Sequence, residues 1–240
     1  MEIRGYLKTS AIEWPGKISA VFFVPGCNFR CPFCYNRDLV LNPEKLPKIS
    51  EKEVFADLKK RKKWIDAVVV TGGEPTLQSD LDKFLKKVKK LGFLAMMETN
   101  GSFTPILQCI VASGLVDRVA MDIKGPLDAR YTQISNFRFP TSNIKKSIKL
   151  IFQSGIDFEL RTTVVPGIHD KKTLVLMAKQ LTKEVQSAKC KAQSFRWYLQ
   201  TFQPKTCLDP EFEKKKPYSK IQMEEFLKAV KKIISGAELR

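Results

Sequence analysis

Residues 18–34 read ISAVFFVPGCNFRCPFC, an apolar segment that leads into three closely spaced cysteines. Residues 18–24 are rich in β-branched and aromatic side chains, which is typical of a strand buried in a parallel sheet. Cys27, Cys31 and Cys34 fall in the loop that follows, at C-x3-C-x2-C spacing. The sequence therefore predicts a buried strand whose carboxyl end carries a thiol-rich loop.

The same alternation of buried strand and amphipathic helix continues along the chain. Further strands are predicted at residues 67–71, 93–99, 117–125, 158–165 and 195–204. One helix is predicted to begin at Ser50, where Glu53 completes a capping box, and another at Ser79. Alternating β and α elements favour a parallel sheet with right-handed crossovers, and six units are too few for a closed eight-stranded barrel. We therefore expect an α/β fold, a partial (βα)6 TIM-like barrel.

Polar segments follow each of the predicted strands. After the cysteine loop they read, in chain order, GGEP, ETNGS, DIKGP, VVPGIHD and QTFQP. In folds built from parallel βα units, the carboxyl ends of the strands share one edge of the sheet and carry the chemistry. We therefore expect the site at the carboxyl ends of the strands.

Length and composition suit one globular domain, since 240 residues with 43% hydrophobic and 28% charged content are enough to bury a core. We expect a single domain over residues 1–240, with a core at about 3–204 and a C-terminal helix at about 219–235 that Ser219 and Gln222 cap. The segments 42–50 and 203–217 are predicted as proline-rich surface connections, and 184–193 as a loop. No apolar run is long enough to span a bilayer, and the N-terminal segment lacks an apolar signal core, so we expect no membrane partner and a cytoplasmic protein.

The chain is strongly basic, because 42 Lys and Arg against 25 Asp and Glu give a net charge of +17. Such a charge suits a nucleic acid or an acidic protein as partner. The lysines cluster in segments such as DLKKRKKW and FLKKVKKLG, on the polar side of helical patterns, and no basic motif has interleaved aromatic residues. We therefore expect solvated helix faces and no nucleic-acid interface.

The three-cysteine loop admits three kinds of metal site. A zinc site needs four ligands, usually two separated pairs, and the only histidine, His169, lies far downstream. A ferredoxin-type cluster takes four cysteines. Three thiolates hold three irons of a four-iron cube and leave the fourth iron open to a substrate or cofactor. The remaining cysteines, Cys109, Cys190 and Cys207, are too scattered for a disulfide framework or a second cluster.

The pattern C-x3-C-x-aromatic-C, with Phe33 as the aromatic residue, resembles the signature of the radical S-adenosylmethionine (SAM) enzymes. The resemblance extends over most of the chain, from about residue 3 to 204. It implies a partial six-fold βα barrel and a [4Fe–4S] cluster on Cys27, Cys31 and Cys34. It further implies that the open iron chelates the amino and carboxylate groups of SAM, whose reductive cleavage yields a 5′-deoxyadenosyl radical.

Four other segments resemble SAM-binding segments of these enzymes. TGGEP looks like the motif that binds the SAM amino group through the backbone of Gly72 and Gly73 and the carboxylate of Glu74, which suits an ammonium group. ETNG and MDIK look like segments of the glycyl-radical activating enzymes, and RTTVVPG looks like a further family motif. The resemblance thus implies that the SAM pocket also contains Thr99, Asn100, Asp122, Lys124 and Arg161.

Within that pocket the resemblance implies distinct roles. Lys124 would pair with the SAM carboxylate, while Asp122 and Thr99 would seat a cation near it. Arg161 would lie near the methionyl part of SAM, and Val165 or Pro166 near the adenine. The plainer alternative for Lys124 and Asp122 is an ion pair at a strand end.

Residues 11–40 resemble the activating protein of the anaerobic ribonucleoside-triphosphate reductase, in its long form, and activases of pyruvate formate-lyase. The run GCNFRCPFC and Asn36 carry this resemblance. Glu13 and Trp14 stand where the family commonly has Asp and an aromatic residue, and Tyr35 stands where it commonly has His. The resemblance implies that the chain makes a radical on a glycine of a glycyl-radical enzyme, with a one-electron reductant such as flavodoxin or ferredoxin.

Two other functions remain open on the residues alone. The first is a radical SAM enzyme that acts on a small molecule, such as a deazapurine precursor. The second is a cluster-bearing electron carrier or metal-binding module, in which TGGEP, ETNG and MDIKGP would have no role. His169 is predicted to be a surface or cap residue, because hydrogen abstraction by a carbon radical needs no general base.

Overall fold

The computed structural model describes residues 1–188 and 195–240. Within these ranges eight strands form one sheet in chain order. The strands are β1 Gly5–Ser10, β2 Ser19–Val24, β3 Ala67–Gly72, β4 Leu94–Thr99, β5 Arg118–Asp122, β6 Asp157–Val164, β7 Trp197–Thr201 and β8 Ala237–Leu239. The helices are α1 Arg37–Leu41, α2 Glu51–Lys60, α3 Leu81–Lys90, α4 Thr104–Ala112, α5 Ala129–Ser135, α6 Ser142–Ser154, α7 Lys171–Ser187 and α8 Lys220–Lys231.

The expected α/β fold with a parallel-dominated sheet is confirmed. The six predicted strands are β2 to β7, and the pairs β2–β3, β3–β4, β6–β7 and β7–β8 are parallel. Two strands were not predicted from the sequence: β1, which pairs antiparallel with β2, and the short strand β8. Strand β1 was not predicted because it is exposed along Leu7, Lys8 and Thr9 and lacks the apolar run of a buried strand.

The chain consists of two compact units. The first contains Met1–Asn28, Asn36–Thr99 and Pro105–Ala120. Its core is built on Val21, Val69 and Met96, which are all 0% exposed, together with Trp14. Hydrogen bonding between the loops after β2 and β3 continues beyond the strand ends, since Gly73 N–H donates to Val24 O at 2.8 Å and Glu74 N–H donates to Gly26 O at 2.8 Å. The glycine-rich turn is therefore fixed against the start of the cysteine loop.

The second unit contains Phe29–Tyr35, Asn100–Thr104 and Met121–Arg240. Trp197 in β7 is fully buried, and its Nε1–H donates to Thr162 Oγ1 in β6 at 3.0 Å. This bond satisfies the polar atom of the largest buried side chain in the unit. The residues 184–187, predicted as part of a loop, are helical as the end of α7, because Val185 continues its buried stripe. Cys190 lies outside the described residues.

The predicted helix starts are correct at two of three positions. Ser219 and Gln222 form the complete capping box at α8, and Ser50 accepts from Glu53 N at 3.5 Å at the start of α2. The prediction at Ser79 is wrong by one residue, since Asp80 is the N-cap of α3. The carboxylate of Asp80 pairs with the N-terminal ammonium group at 2.6 Å and does not bond the helix N–H groups. Within the described ranges, none of the helices has the length and apolar content needed to cross a membrane.

Candidate active site

The first unit holds Cys27 and the glycine-rich turn at the carboxyl ends of β2 and β3. Cys27 is half-buried and follows Gly26. A Cβ on Gly73 would lie 1.9 Å from the carbonyl oxygen of Gly26, and one on Gly72, whose φ is +108°, would lie 2.7 Å from Val24 N. Asn36 Nδ2 donates to Gly72 O at 2.6 Å. Both glycines are therefore required by the close backbone approach next to Cys27.

Glu74 is a buried carboxylate held in one orientation. It is 1% exposed, and its Oε1 accepts from Thr76 N at 3.1 Å, Thr76 Oγ1 at 2.5 Å and Thr99 Oγ1 at 2.7 Å. The predicted site residues Glu74 and Thr99 thus touch each other. These three donors fix the orientation of the carboxyl group at the turn after β3.

The second unit holds the remainder of the cysteine loop. Cys31 is buried, Cys34 is half-buried, and Cys34 N–H donates to Cys31 O at 3.0 Å. Phe33 is 4% exposed. Phe29 packs edge-on against Tyr131 of α5, with ring centroids 6.3 Å apart. The loop is therefore anchored by aromatic side chains on both sides of Cys31.

A segment after β7 also packs on this loop. We call residues 202–212 the strap. Phe202 lies in the predicted strand 195–204, and the other residues of the strap lie in the segment 203–217 predicted as a surface connection. That prediction is wrong for Cys207, which is 0% exposed. Gln203 N–H donates to Tyr35 Oη at 2.7 Å, and Asp209 N–H donates to Pro32 O at 2.9 Å.

Aromatic contacts reinforce the strap. Phe202 is fully buried and stacks on Tyr35 with ring centroids 6.0 Å apart. Phe212 lies against Phe33 at 6.5 Å. The sequence signal of this packing is Phe212, an aromatic residue inside the proline-rich segment 203–217.

Lys124 and Asp122 form the ion pair that the sequence analysis named as the plainer alternative. Lys124 Nζ lies 2.8 Å from Asp122 Oδ2. Burial lowers the pKa of Lys124, but the negative charges of Asp122, Cys31 and Cys34 outweigh that effect and hold its pKa above the usual value. Lys124 is therefore a cation that is electrostatically coupled to two cysteines of the loop.

Asn100 and Arg161 are both engaged inside the second unit. Asn100 Oδ1 accepts from Ser102 N at 2.9 Å and from Ser102 Oγ at 2.6 Å, which closes the turn after β4. Arg161 is 5% exposed and forms an ion pair with the fully buried Glu159, whose Oε1 also pairs with Arg240 at 3.0 Å. Val165 is fully buried at the end of β6.

Of the two alternatives predicted for His169, the surface position is wrong, whereas a capping role is compatible with its bonds to main-chain atoms. His169 is 1% exposed, and both of its ring nitrogens lie within hydrogen-bond distance of main-chain atoms. Its position as the only histidine, in a loop after a buried strand, gave no sign of this burial. Of the cysteines outside the loop, Cys109 is exposed and Cys207 is buried.

The donor set fits an iron–sulfur cluster that is held through three thiolates. The cysteines lie on a loop with aromatic packing, and cysteine thiolates are the ligands that iron–sulfur clusters take. Among the described side chains, no group of three or more His, Cys, Asp and Glu is arranged to hold a single metal ion. In a four-iron cube each cysteine takes a separate iron.

A parallel α/β sheet with this cysteine loop after one strand and a glycine-rich carboxylate turn after the next defines an iron–sulfur enzyme of the radical type. Residues 21–179 match the radical SAM superfamily, and the chain belongs to it. Its cofactors are a [4Fe–4S] cluster and SAM, and the chain is a radical SAM enzyme.

Two curated relatives indicate the range of its similarities. A Methanocaldococcus jannaschii protein, named as a glycyl-radical enzyme activating enzyme, is 31% identical over 243 residues, which cover 99% of this chain and 95% of the relative. The GTP 3′,8-cyclase of Aquifex aeolicus is 24% identical over 174 residues, which cover 68% of this chain and 52% of that enzyme.

Solved structures share the fold. Streptococcus suis SuiB bound to its precursor peptide SuiA superposes with a TM-score of 0.68 at 16% identity, over 92% of this chain and 48% of SuiB. SuiB bound to SAM gives a TM-score of 0.64 at 15% identity, over 92% of this chain and 51% of SuiB. This chain therefore spans about half the length of SuiB.

Proposed function

We propose that the protein is a glycyl-radical enzyme activase: it cleaves SAM reductively and generates a radical on a glycine of a partner enzyme. The observation that carries this proposal is the end-to-end match, 31% identical over 99% of this chain, to a relative named as such an activating enzyme. A partner of the anaerobic ribonucleoside-triphosphate reductase type is the finer proposal, and it rests on the GCNFRCPFC loop and Asn36.

Cys27, Cys31 and Cys34 are the proposed ligands of the cluster. Phe33, buried between Cys31 and Cys34, keeps water from one side of the loop. When bound, the cluster and SAM supply the one-electron cleavage of the sulfonium that gives a 5′-deoxyadenosyl radical.

The proposed SAM-binding residues act by charge and by shape. Gly72 and Gly73 hold the turn against the start of the cysteine loop, so that their backbone and the oriented carboxylate of Glu74 receive the SAM ammonium. Lys124, whose pKa stays high, pairs with the SAM carboxylate, and its ammonium group is then shared between that carboxylate and Asp122.

The other proposed contacts are less direct. Thr99 supports Glu74 through its hydroxyl at 2.7 Å. Asn100 shapes the turn after β4, and Arg161, fixed by Glu159, faces the methionyl part of SAM. The physiological electron donor in this proposal is an acidic one-electron carrier such as flavodoxin or ferredoxin.

The test is anaerobic activation followed by electron paramagnetic resonance. The reconstituted protein is mixed with SAM, a reductant and the glycyl-radical enzyme of the same cell. The expected result is a carbon-centred doublet, which disappears when the target glycine of the partner is changed to alanine. Cys31→Ala should abolish both the cluster and the doublet, whereas Cys109→Ala should leave iron content intact.

A second candidate is a radical SAM enzyme that acts on a purine nucleotide, because the chain also matches a GTP 3′,8-cyclase. The two candidates are separated by the release of 5′-deoxyadenosine. If GTP accelerates that release while no partner enzyme gains a radical, the activase proposal is wrong and the small-molecule function replaces it.

A further inference from the structure

The ring of His169 bridges two loops of the second unit. Its Nδ1 lies 3.0 Å from the main-chain N–H of Val165, in the loop after β6. Its Nε2 lies 3.1 Å from the main-chain carbonyl oxygen of Lys124, in the loop after β5. Since an N–H can only donate, Nδ1 is the acceptor, and the ring proton therefore sits on Nε2 and is donated to Lys124 O.

The ring is neutral under ordinary conditions. Burial lowers the pKa of His169 to about 4, against smaller effects of the Lys124 carbonyl and of Asp170 that raise it. Tyr218 Oη donates to the carbonyl oxygen of His169 at 2.6 Å and fixes its main chain. Both ring bonds are therefore present at neutral pH.

Each main-chain N–H and C=O group of Ile123 and Lys124 has its own hydrogen-bond partner. Lys124 N–H donates to Tyr131 Oη at 3.2 Å. Ile123 N–H donates to Arg161 O at 2.7 Å, and Ile123 O accepts from Thr162 Oγ1 at 2.8 Å. The carbonyl of Lys124 is the group that His169 holds.

We infer that His169 is a positioning residue for Lys124: the bond from Nε2–H to Lys124 O sets the direction of the ammonium group that receives the SAM carboxylate. This inference rests on the proposed role of Lys124 in SAM binding.

Two substitutions separate the two ends of the ring. His169→Gln places an amide N–H near the position of Nε2 and keeps the donor to Lys124 O, but it loses the acceptor for Val165 N–H. His169→Asn places a carbonyl oxygen near Nδ1 and keeps that acceptor, but it loses the donor to Lys124 O. The two variants therefore test separately whether the ring positions Lys124 or only closes the loop after β6.

The measurement is the affinity of the anaerobically reconstituted protein for SAM and for decarboxylated SAM, with iron content determined for each variant. We expect His169→Asn to weaken SAM binding about tenfold, and His169→Gln to weaken it less, since one hydrogen bond to a positioning carbonyl is lost in the first. Decarboxylated SAM should bind wild type and both variants alike, because it lacks the group that Lys124 receives.

The opposite order, with Asn close to wild type and Gln weakened, would make the ring a cap of the loop after β6 and would overturn the inference. Equal affinities in all three proteins would overturn it as well. If wild type itself does not bind SAM, the failure lies with the proposed function.

A measurement on the unsubstituted holoprotein covers the case in which both variants fold poorly. The chain has a single histidine, so nitrogen-15 labelling of histidine gives one pair of ring signals. The inference requires the Nε2–H form at neutral pH and a shift of the Nε2 signal when SAM is added. An Nδ1–H or charged ring, or an Nε2 signal that SAM does not move, would refute it.

Discussion

At the scale of single residues, the charge-bearing side chains at the strand ends have clear local causes. Glu74 is fixed by Thr76 and Thr99, and Lys124 is fixed through its backbone by Tyr131 and His169. The sequence identified Glu74 and Lys124 because their motifs are local. It did not identify Tyr131 and His169, because their contacts join segments that lie far apart in the chain, and local patterns carry no signal of such contacts.

Removing the charge of Glu74 should weaken SAM binding. In Glu74→Gln the side-chain carbonyl still accepts from Thr76 and Thr99, so the fold is kept while the carboxylate is lost. The expected loss is on the order of 1.5–3 kcal/mol, the usual worth of a hydrogen bond to a charged group. Isothermal titration with SAM measures it.

Glu98→Gln is the matched control, because Glu98 also ends a strand and accepts from Thr71 Oγ1 at 2.6 Å. It should bind SAM nearly as wild type does. Equal weakening in both variants would indicate a general loss of negative charge, and unchanged affinity in Glu74→Gln would remove Glu74 from the SAM site.

The neutral, buried state of His169 predicts an acid-sensitive stability. The folded pKa of about 4 lies below the ordinary value of 6.5, so the unfolded chain binds more protons between these two pH values. The stability that the neutral ring contributes is complete above pH 6.5 and is lost as pH falls toward 4. The size of this contribution is on the order of 3 kcal/mol.

Urea unfolding of wild type and His169→Gln at a series of pH values measures this contribution. Asp170 and Lys124 act on the ring in opposite directions, and both remain in the variant, so the difference between the two proteins isolates the ring. Wild type should lose more stability on acidification than the variant. Parallel curves would mean that the ring keeps an ordinary pKa in the folded chain.

At the scale of elements, the sequence predicted the strands with apolar runs and missed the shortest and most polar elements. The strands β2 to β7 were found because their buried residues are continuous, as in Ala67–Gly72. The strand β8 was missed because three residues carry too little pattern, and α5 because its seven residues are short and rich in polar side chains. The strap was misjudged because prolines and charges in the sequence hide the packing of Phe202 and Phe212.

Weakening the strap should make the cluster easier to remove. Phe212→Ala deletes the ring that packs on Phe33, an aromatic pair worth about 1 kcal/mol. Because Phe212 is half-exposed, we expect its removal to change the stability of the whole protein little. The larger effect should be on the access of a chelator to the cysteine loop. The rate at which a chelator bleaches the cluster should therefore rise.

Lys216→Ala is the control for this experiment, since it changes an exposed residue of the same region and no ring. Its bleaching rate should match that of wild type. A Phe212→Ala protein that bleaches at the wild-type rate would show that the strap does not shield the loop.

At the scale of the whole molecule, the net charge of +17 should act on encounter with a partner. Charges that steer association raise its rate, and salt screens them, with a Debye length of about 8 Å at physiological ionic strength. We expect added salt to slow the activation of an acidic glycyl-radical partner. Uncoupled cleavage of SAM should not change, because it needs no second protein.

Activation rates and 5′-deoxyadenosine release, measured at increasing salt, test this expectation. Equal slowing of both would place the salt effect on SAM or on the cluster.

The single domain over residues 1–240 also remains a prediction at this scale, and one cooperative unfolding transition seen by different probes would support it.

The bonds that hold the cysteine loop have a consequence for repair. Arg30 N–H donates to Ser135 O at 2.8 Å, and the strap donates hydrogen bonds to Pro32 O and Tyr35 Oη, so the loop has supports besides its metal ligands. In small zinc domains the metal supplies the folding free energy, so its loss unfolds the chain. Because hydrogen bonds to α5 and to the strap also hold this loop, we expect it to keep its shape when oxidative damage strips the iron, so that a cell could refill the site after exposure to air without new synthesis.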